Sequence, residues 1–216
     1  MNLETDRIRL IMELRRDGIT DTRVLGAIER VPREQFVPPD LADQAYHNRA
    51  LPIGHEQTIS QPTVVAAMTQ KLDVGPTMKV LEVGTGSGYQ AAVLSPLCRR
   101  LYTIERNRQL LREAEKRFKA LGLTNIVTWH GDGSRGWPDQ APFDRIIVTA
   151  AAPEVPPALL EQLAVGGKML IPVDSDILEQ DLVCVTRTEK GSETEKMFPV
   201  RFVPLIADSP LGGLAG

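Results

Sequence analysis

Residues 79–88 read Lys-Val-Leu-Glu-Val-Gly-Thr-Gly-Ser-Gly, and this stretch decides the fold of the chain. Its first half is a short apolar run of the kind that forms a buried strand. Its second half carries Gly84, Gly86 and Gly88 and leads into an apolar stretch with helical spacing. A strand that turns on glycines into a helix brings backbone N–H groups and the positive end of the helix next to a ligand. The stretch therefore predicts a site for a nucleotide-type cofactor.

Strand and helix patterns alternate along the rest of the chain. Strands are predicted at 78–83, 100–105, 125–130, 143–148 and 167–173, with helices at 89–97, 107–121 and 156–163. Short connections in such an alternation favour right-handed crossovers and a parallel sheet covered on both faces. Two further β segments, 181–188 and 195–203, predict a C-terminal hairpin. The expected fold class is α/β: a Rossmann-like doubly wound, mostly parallel sheet with antiparallel C-terminal strands and a helical N-terminal cap.

The predicted cap consists of two short amphipathic helices that precede the first strand. The first covers 3–16, and the second follows Asp21 as its N-cap and ends at Pro32. From Pro32 to Pro62, where a third helix begins, the chain is irregular; irregular stretches longer than about 15 residues inside a compact domain are often functional. The predicted division of this single structural unit is a cap and loop at 1–56, a core at 57–206 and a flexible tail at 207–216.

Composition limits the classes of partner. The chain has 216 residues, of which 42% are hydrophobic and 25% charged, with a net charge of −3. This mild acidity gives no electrostatic reason to expect nucleic acid or an anionic membrane as a partner. No run approaches the roughly 20 apolar residues that span a bilayer, and the first residues lack the pattern of a signal peptide. Cys98 and Cys184 are expected to be buried thiols rather than a disulfide, so a cytoplasmic location is predicted. The protein is also predicted to be a monomer.

The glycine spacing argues against a dinucleotide as the ligand. A dinucleotide fingerprint needs Gly-x-Gly-x-x-Gly, but the third position here is Tyr89 and the glycine comes one residue earlier, at Gly88. For the glycines alone, a tight strand–helix turn without any ligand remains an alternative.

Acidic residues near the ends of the strands indicate the type of ligand. Glu105 ends the second strand, where a carboxylate can accept from both hydroxyls of a ribose. Asp132 follows the third strand, where it could accept from an adenine amino group, and the small Gly133 would make room for the ring. Because the carboxyl ends of parallel strands meet in one crevice, these residues favour an adenosyl ligand without phosphates. S-adenosylmethionine fits this description, with Glu82 near its charged amino acid portion.

Several segments together resemble a known family. Residues 80–90, Val-Leu-Glu-Val-Gly-Thr-Gly-Ser-Gly-Tyr-Gln, resemble motif I of the class I S-adenosylmethionine-dependent methyltransferases. Segments similar to the protein-L-isoaspartate(D-aspartate) O-methyltransferases are Val-Pro-Arg-Glu-Gln-Phe-Val-Pro at 31–38, Gln-Thr-Ile-Ser-Gln-Pro at 57–62, His-Gly-Asp-Gly at 130–133, Phe-Asp-Arg-Ile-Ile-Val-Thr-Ala-Ala-Ala-Pro at 143–153 and Arg-Phe-Val-Pro-Leu at 201–205. This resemblance covers nearly the whole chain.

The resemblance implies a reaction. S-adenosylmethionine would donate a methyl group to the α-carboxylate of L-isoaspartyl residues in damaged proteins and peptides, leaving S-adenosylhomocysteine and initiating repair through a succinimide. A carboxyl methyltransferase that acts on one specific peptide or small acid is the alternative on the same scaffold. The acceptor carboxylate is ionised near neutral pH and already nucleophilic, so no strong general base and no metal are expected.

Ser60 is the predicted catalytic residue. It precedes the third helix, whose positive end would help to hold the acceptor carboxylate; from position alone, an N-cap would be the better interpretation. The resemblance assigns Thr58, Ile59, Ser60 and Gln61 to closure over the cofactor, and Ile53, Gly54, Val203 and Pro204 to a slot for the acceptor peptide. Two positions, Glu56 and Thr63, depart from the family pattern on the acceptor side.

Overall fold

The computed structural model of this protein describes residues 3–176 and 179–207. Its helices are α1 (Leu3–Arg16), α2 (Thr22–Arg30), α3 (Pro62–Leu72), α4 (Tyr89–Leu94), α5 (Arg108–Ala120) and α6 (Pro157–Gln162). Its strands are β1 (Leu51–Gly54), β2 (Gln57–Ile59), β3 (Lys79–Val83), β4 (Arg100–Glu105), β5 (Ile126–His130), β6 (Phe143–Val148), β7 (Leu163–Asp176), β8 (Glu179–Thr188) and β9 (Gly191–Val200). Short 3-10 turns lie at Arg33–Phe36, Pro39–Gln44, Ser95–Leu97, Gly133–Arg135 and Pro138–Gln140. Apart from Ala207, the predicted tail lies outside the described residues.

A seven-stranded sheet with the order β5-β4-β3-β6-β7-β8-β9 forms the centre of the molecule. The five strands from β5 to β7 are parallel to their neighbours, whereas β8 and β9 are antiparallel. The chain moves outward from β3 to β5 and then returns to the other side of β3 with β6, which makes the β3/β6 boundary the topological switch point. The predicted α/β fold, with a parallel core and an antiparallel C-terminal end, is confirmed.

The central strands form because they are apolar on both faces. Val80, Leu81 and Val83 of β3 are each at most 1% exposed, as expected for a parallel sheet covered by helices on both sides. The helix α5 covers one face with a stripe of Leu110, Leu111, Ala114 and Phe118, all buried. These interactions fix β3 and the glycines that follow it at the centre of the fold.

The N-terminal helices belong to the same hydrophobic core as the sheet. Leu14 of α1 and Ile28 of α2 are almost completely buried, in one cluster with Met68 of α3 and Leu94 of α4. As predicted, the Asp21 side chain caps α2 by accepting a hydrogen bond from the backbone N–H of Arg23. Residues preceding the sheet therefore form a layer that packs on it.

The structure differs from the prediction mainly between Pro32 and Pro62. This stretch contains two 3-10 turns and the β1–β2 hairpin, in which Leu51 pairs with Ile59. The hairpin turn has φ values of 52° at His55 and 57° at Glu56. Such turns normally use Gly, Asn or Asp, so the sequence carries no hairpin signal there.

Other differences are small and concern the ends of elements. The predicted helix 89–97 ends at Leu94 and continues as a 3-10 turn. The predicted strand 167–173 is longer, covering 163–176, because it pairs with β6 from Leu163 onward and with β8 from Lys168 to Asp176. The second strand of the C-terminal hairpin covers 191–200 rather than 195–203.

Two general expectations can be compared with the described residues. Both cysteines are free thiols, as predicted; Cys98 is buried and Cys184 is half-buried. Burial raises the pKa of the Cys98 thiol to about 12. No helix within 3–176 and 179–207 combines the length and the apolar character that a membrane span requires.

Candidate active site

A cavity of about 390 Å³ opens at the carboxyl ends of the central strands, within the range of about 300–1,000 Å³ typical of small-molecule sites. Its walls are the glycine turn after β3, the end of β4, Gly133 after β5, the loop after β6, the β1–β2 hairpin and the segment 202–206. The strand ends that the sequence placed in one crevice therefore do meet.

The cavity wall contains some of the predicted site residues and not others. Those that line it are Thr58, Ile59, Ser60, Gly84, Gly86, Glu105, Gly133, Val203 and Pro204. Those that do not line it are Ile53, Gly54, Gln61, Glu82, Gly88 and Asp132. Residues on the wall that sequence reasoning missed include His55, Thr85, Arg106, Asn107, Thr149 and Phe202. Thr149 directly follows β6, so its position after a strand end was the signal that could have identified it.

The turn after β3 can only be built with glycine at Gly84. Its φ is +95°, and a Cβ there would lie 2.4 Å from Thr149 Oγ1. The Thr149 hydroxyl donates to the carbonyl of Gly84 at 2.7 Å. The turn is thereby held against the loop after β6, and its backbone faces the cavity.

Gly88 has a packing role and does not line the cavity, so its contact with the cofactor stays a prediction. Its φ is +91°, and a Cβ would come within 2.7 Å of Phe118 Cε1 and 3.2 Å of Ala114 Cβ. The absence of a side chain lets the start of α4 approach α5 closely. Gly88 therefore lets the turn pack against α5, on the side away from the cavity.

Glu105 presents a fixed carboxylate to the cavity. Its Oε2 accepts from the backbone N–H of Gly86 at 2.9 Å, and its Oε1 accepts from that of Asn107 at 2.8 Å. The residue is only 8% exposed. Since each carboxylate oxygen can accept a second hydrogen bond, Glu105 retains capacity for two hydroxyl donors.

Glu82 is buried beneath the cavity and does not line its wall, so its place near the charged amino acid portion of the cofactor stays a prediction. It is 0% exposed, and its Oε2 accepts from Thr103 Oγ1 at 2.5 Å. The Thr103 hydroxyl in turn lies 2.6 Å from that of Thr85, which lines the cavity. Two hydroxyl groups thus connect Glu82 Oε2 to the cavity.

The burial of Glu82 predicts an unusual pH dependence of stability. Desolvation, opposed by the Thr103 hydrogen bond and reinforced by the charge of Glu105, raises the pKa of Glu82 from 4.5 to about 8. Between these pH values the folded state binds one proton that the unfolded state has lost. The contribution of this group to the free energy of unfolding therefore falls by up to about 1.4 kcal/mol per pH unit as pH rises from 4.5 to 8.

Glu82→Gln should remove this pH-dependent contribution. We expect the difference in unfolding free energy between wild type and variant, measured by denaturant titration, to change steadily from about pH 5 to pH 8. Glu115→Gln is the control because Glu115 is an exposed carboxylate on α5. Parallel pH profiles for wild type and Glu82→Gln would contradict the prediction.

Asp132 and Gly133 have separate roles. Asp132 Oδ1 accepts from the N–H of Ser134 at 2.9 Å and from its hydroxyl at 2.7 Å, which caps the turn Gly133–Arg135. Asp132 itself is not part of the cavity wall, and its contact with an adenine stays a prediction. Gly133 does line the cavity, and a Cβ there would lie 2.5 Å from Val83 Cγ1.

Ser60 faces the cavity with an uncommitted hydroxyl. The N-cap of α3 is Gln61, and Pro62 occupies the first helical position. Among the described residues, the Ser60 hydroxyl has no hydrogen-bond partner. The capping interpretation of Ser60 is therefore wrong. Gln61 takes the cap position without a side-chain hydrogen bond and stays off the cavity wall.

The acceptor side of the cavity is formed by two flanking segments. Val203 and Pro204 lie in an extended stretch; the Val203 carbonyl accepts from Ala151 N–H at 2.8 Å, and the Ala151 carbonyl accepts from Leu205 N–H. Ile53 lies behind the wall, with its Cδ1 3.7 Å from the position of a Cβ on Gly86. Of the predicted slot residues, Val203 and Pro204 therefore line the cavity, whereas Ile53 and Gly54 do not. Other residues of the β1–β2 hairpin form that part of the wall.

The two departures from the family pattern lie in different places. Glu56 lines the cavity at the hairpin turn, beside His55. Thr63 is off the cavity: its N–H donates to Asn48 Oδ1 at 3.0 Å and its hydroxyl donates to Asp17 Oδ2 at 3.0 Å. Thr63 therefore ties α3 to the N-terminal layer. Within the described ranges, no cluster of three or more metal-ligating side chains occurs.

Known proteins resemble this chain over nearly its whole length. The family model Protein-L-isoaspartate(D-aspartate) O-methyltransferase matches residues 5–209. A protein-L-isoaspartate O-methyltransferase of Paramagnetospirillum magneticum is 61% identical over 204 residues, covering 94% of this chain and 95% of that protein. One of Rhodospirillum rubrum is 59% identical over 212 residues, covering 97% of each.

Solved structures show the same similarity in three dimensions. A protein-L-isoaspartate O-methyltransferase superimposes with a TM-score of 0.84 at 28% identity, covering 95% of this chain and 67% of that chain. A Plasmodium falciparum protein assigned to the same enzymes, in complex with S-adenosyl-L-homocysteine, gives a TM-score of 0.80 at 26% identity and covers 93% and 98%. The similarity includes the N-terminal layer as well as the sheet.

Proposed function

Because the chain belongs to the protein-L-isoaspartate(D-aspartate) O-methyltransferase family, we propose that it methylates the α-carboxylate of L-isoaspartyl residues in damaged proteins and peptides. The cofactor is S-adenosylmethionine and the product S-adenosylhomocysteine. The observation that carries the assignment of roles is the free hydroxyl of Ser60 on the wall of the cavity that also exposes the anchored carboxylate of Glu105.

The residues present fit an adenosyl ligand. The Glu105 carboxylate, held by two backbone donors, has the remaining acceptor capacity that two ribose hydroxyls require. Gly133 lines the cavity and packs so closely on Val83 that a Cβ would lie 2.5 Å from Val83 Cγ1, so only glycine lets the chain follow the wall there. The wall carries no lysine and one arginine, Arg106, among the residues described, which suits a ligand that lacks phosphates.

The chemistry requires positioning rather than proton transfer. S-adenosylmethionine supplies a methyl group on a positively charged sulfur. The acceptor carboxylate is ionised at neutral pH, so no residue of the chain has to remove a proton from it. We assign Ser60 to hydrogen bonding with this carboxylate, and Thr58 and Ile59 to the wall beside it. Fixing the acceptor in line for attack can lower the activation free energy by several kcal/mol.

Methylation begins a repair sequence rather than completing it. The methyl ester is more electrophilic than the free carboxylate and carries methoxide as a leaving group. The backbone nitrogen therefore attacks the ester carbonyl to form a succinimide, and methoxide leaves with the nitrogen's proton as methanol. Hydrolysis of the succinimide gives normal aspartate in part and isoaspartate otherwise. Repeated methylation of the isoaspartyl product thus increases the repaired fraction.

A pair of peptides that differ only in linkage tests the proposal. With labelled S-adenosylmethionine, the L-isoaspartyl peptide should acquire base-labile methyl ester, while the matched L-aspartyl peptide should stay at background. Equal labelling of both, or labelling of neither, would overturn the repair function. Labelling of a small acid in place of the peptides would instead favour the alternative carboxyl methyltransferase.

We propose further that the protein acts as a monomer in the cytoplasm on exposed isoaspartyl segments. The two free thiols suit a reducing compartment. Light scattering during size-exclusion chromatography should give a mass near 23.8 kDa, and twice that mass would contradict the monomer.

A further inference from the structure

Arg33 is a completely buried cation next to the backbone of Ser60. It starts the 3-10 turn Arg33–Phe36 in the N-terminal layer and is 0% exposed. Its Nε donates to the carbonyl of Ala45 at 2.8 Å, and its Nη2 donates to the carbonyl of Ser60 at 2.9 Å. The guanidinium therefore fixes the backbone of the residue assigned to hold the acceptor.

The positive charge of Arg33 has no counter-ion within the described part of the chain. No carboxylate pairs with it, and its Nη1 has no hydrogen-bond partner. Its guanidinium carbon lies 4.7 Å from the centre of the Tyr89 ring. Burial raises the pKa of the Tyr89 hydroxyl, which keeps this group neutral at physiological pH. Burial lowers the pKa of the Arg33 guanidinium, and Tyr89 opposes this shift. A guanidinium still remains protonated at physiological pH, so the described interior holds a positive charge without a carboxylate partner.

This charge lies directly behind the cavity. Ser60 and Tyr89 both line the cavity, and Arg33 contacts both of them from the protein side. A buried charge without a partner is strongly destabilising, and its field is weakened little by dielectric or salt when it is shielded from water. An anion at Ser60 would be the missing partner, separated from the guanidinium by the Ser60 peptide and the Tyr89 ring.

We propose that Arg33 is a positioning residue that fixes Ser60 and makes the acceptor end of the cavity select a carboxylate over an uncharged group. This inference rests on the proposed function, because it takes the acceptor to be the α-carboxylate of an isoaspartyl residue. In this role Arg33 touches neither substrate nor cofactor. It holds the Ser60 carbonyl through Nη2 and acts on the acceptor through its charge.

The charge can be measured separately from the positioning. Two peptides are compared by calorimetry on enzyme saturated with S-adenosylhomocysteine, one with the isoaspartyl α-carboxylate and one with the α-carboxamide, which is uncharged and of similar size. We expect wild type to prefer the carboxylate by about tenfold or more. Arg33→Met should bring the two dissociation constants to within about twofold of each other, because the favouring charge is gone.

Conservative variants distinguish the two parts of the role. Arg33→Lys should keep the preference for carboxylate, because the charge remains, yet lower kcat, because a single ammonium cannot reproduce the two carbonyl contacts. Arg33→Gln, which retains an amide donor without the charge, should lose the preference; it replaces Arg33→Met if that variant does not fold. Arg145→Met is the matched control, since Arg145 is a buried arginine that binds the carbonyls of Leu72 and Asp73 at the far end of α3. It should lower stability and leave the preference unchanged.

A measurement on the unaltered protein tests the same inference. Because the charge is buried, the preference for carboxylate should change less than about twofold between roughly 50 and 500 mM salt. A preference that disappears with salt would assign it to exposed charges and overturn the proposal. An unchanged preference for carboxylate in Arg33→Met and Arg33→Gln would also overturn the proposal, because Arg33 would then be a structural anchor only. The proposal would likewise be overturned if these variants lost affinity for S-adenosylhomocysteine alone. Failure of wild type to methylate the isoaspartyl peptide would instead refute the proposed function.

Discussion

Ser60→Ala is expected to lower kcat for an isoaspartyl peptide about 100-fold, while the affinity for S-adenosylhomocysteine changes less than about threefold. The hydroxyl of Ser60 has no hydrogen-bond partner among the described residues, so its removal leaves no protein group unsatisfied. The expected loss therefore falls on the alignment of the acceptor carboxylate, where a misplacement of about 1 Å can cost two orders of magnitude in rate.

Thr63→Ala provides the matched control for Ser60→Ala. Thr63 lies in the first turn of α3, three residues after Ser60, but its hydroxyl bonds Asp17 and Asn48 away from the cavity. We expect the unfolding free energy to fall by about 1 kcal/mol and turnover to stay near that of wild type. Single-turnover rates and calorimetric titrations measure both variants. A rate for Ser60→Ala within about threefold of wild type would remove Ser60 from the active site.

Glu105→Ala is expected to weaken binding of S-adenosylhomocysteine by about 100-fold. The carboxylate is assigned two hydrogen bonds to ribose hydroxyls, and a hydrogen bond to a charged group contributes about 1.5–3 kcal/mol, so losing both should cost at least two powers of ten in affinity. The same change strands the N–H groups of Gly86 and Asn107, which should also lower the unfolding free energy by about 1–3 kcal/mol.

Glu105→Gln separates ligand binding from loop stability. The amide keeps one oxygen for a backbone donor and one donor for a ribose oxygen, so affinity should fall less than for the alanine variant, to about tenfold below wild type. Calorimetry with S-adenosylhomocysteine at several concentrations measures the affinity of both Glu105 variants. If Glu105→Ala lost stability yet retained full affinity, Glu105 would be a support for the glycine turn and not a ligand for the ribose.

The sheet and its ligand crevice were predictable because local and long-range signals agree. The strand 79–83 places the apolar residues Val80, Leu81 and Val83 on both faces of the sheet. The turn that follows favours glycine at Gly84, where φ is positive and a Cβ would clash with Thr149. Glu105 was predictable because strand ends define positions in a parallel sheet independently of side-chain packing. Each of these features depends on backbone geometry, which a sequence pattern encodes directly.

The features that the sequence did not reveal depend on packing between distant segments. Whether Gly88 faces a ligand or Phe118 is decided by α5, thirty residues further along the chain. The position of Glu82 in β3 is equally typical of a residue that contacts a ligand. Its hydrogen bond with Thr103 on the neighbouring strand β4 is what shows that the side chain lies in the interior. The β1–β2 hairpin escaped prediction because His55 and Glu56 adopt positive φ without the residues that usually signal it.

The division of the cavity wall has a consequence for how such enzymes change over evolutionary time. The groups assigned to the methyl donor at the strand ends lie between Gly84 and Gly133, whereas those assigned to the acceptor lie before Pro62 and after Arg201. The buried guanidinium of Arg33 likewise comes from the first of these flanking segments. Substitutions in these two flanking segments can therefore change the acceptor, while the residues assigned to the methyl donor stay the same.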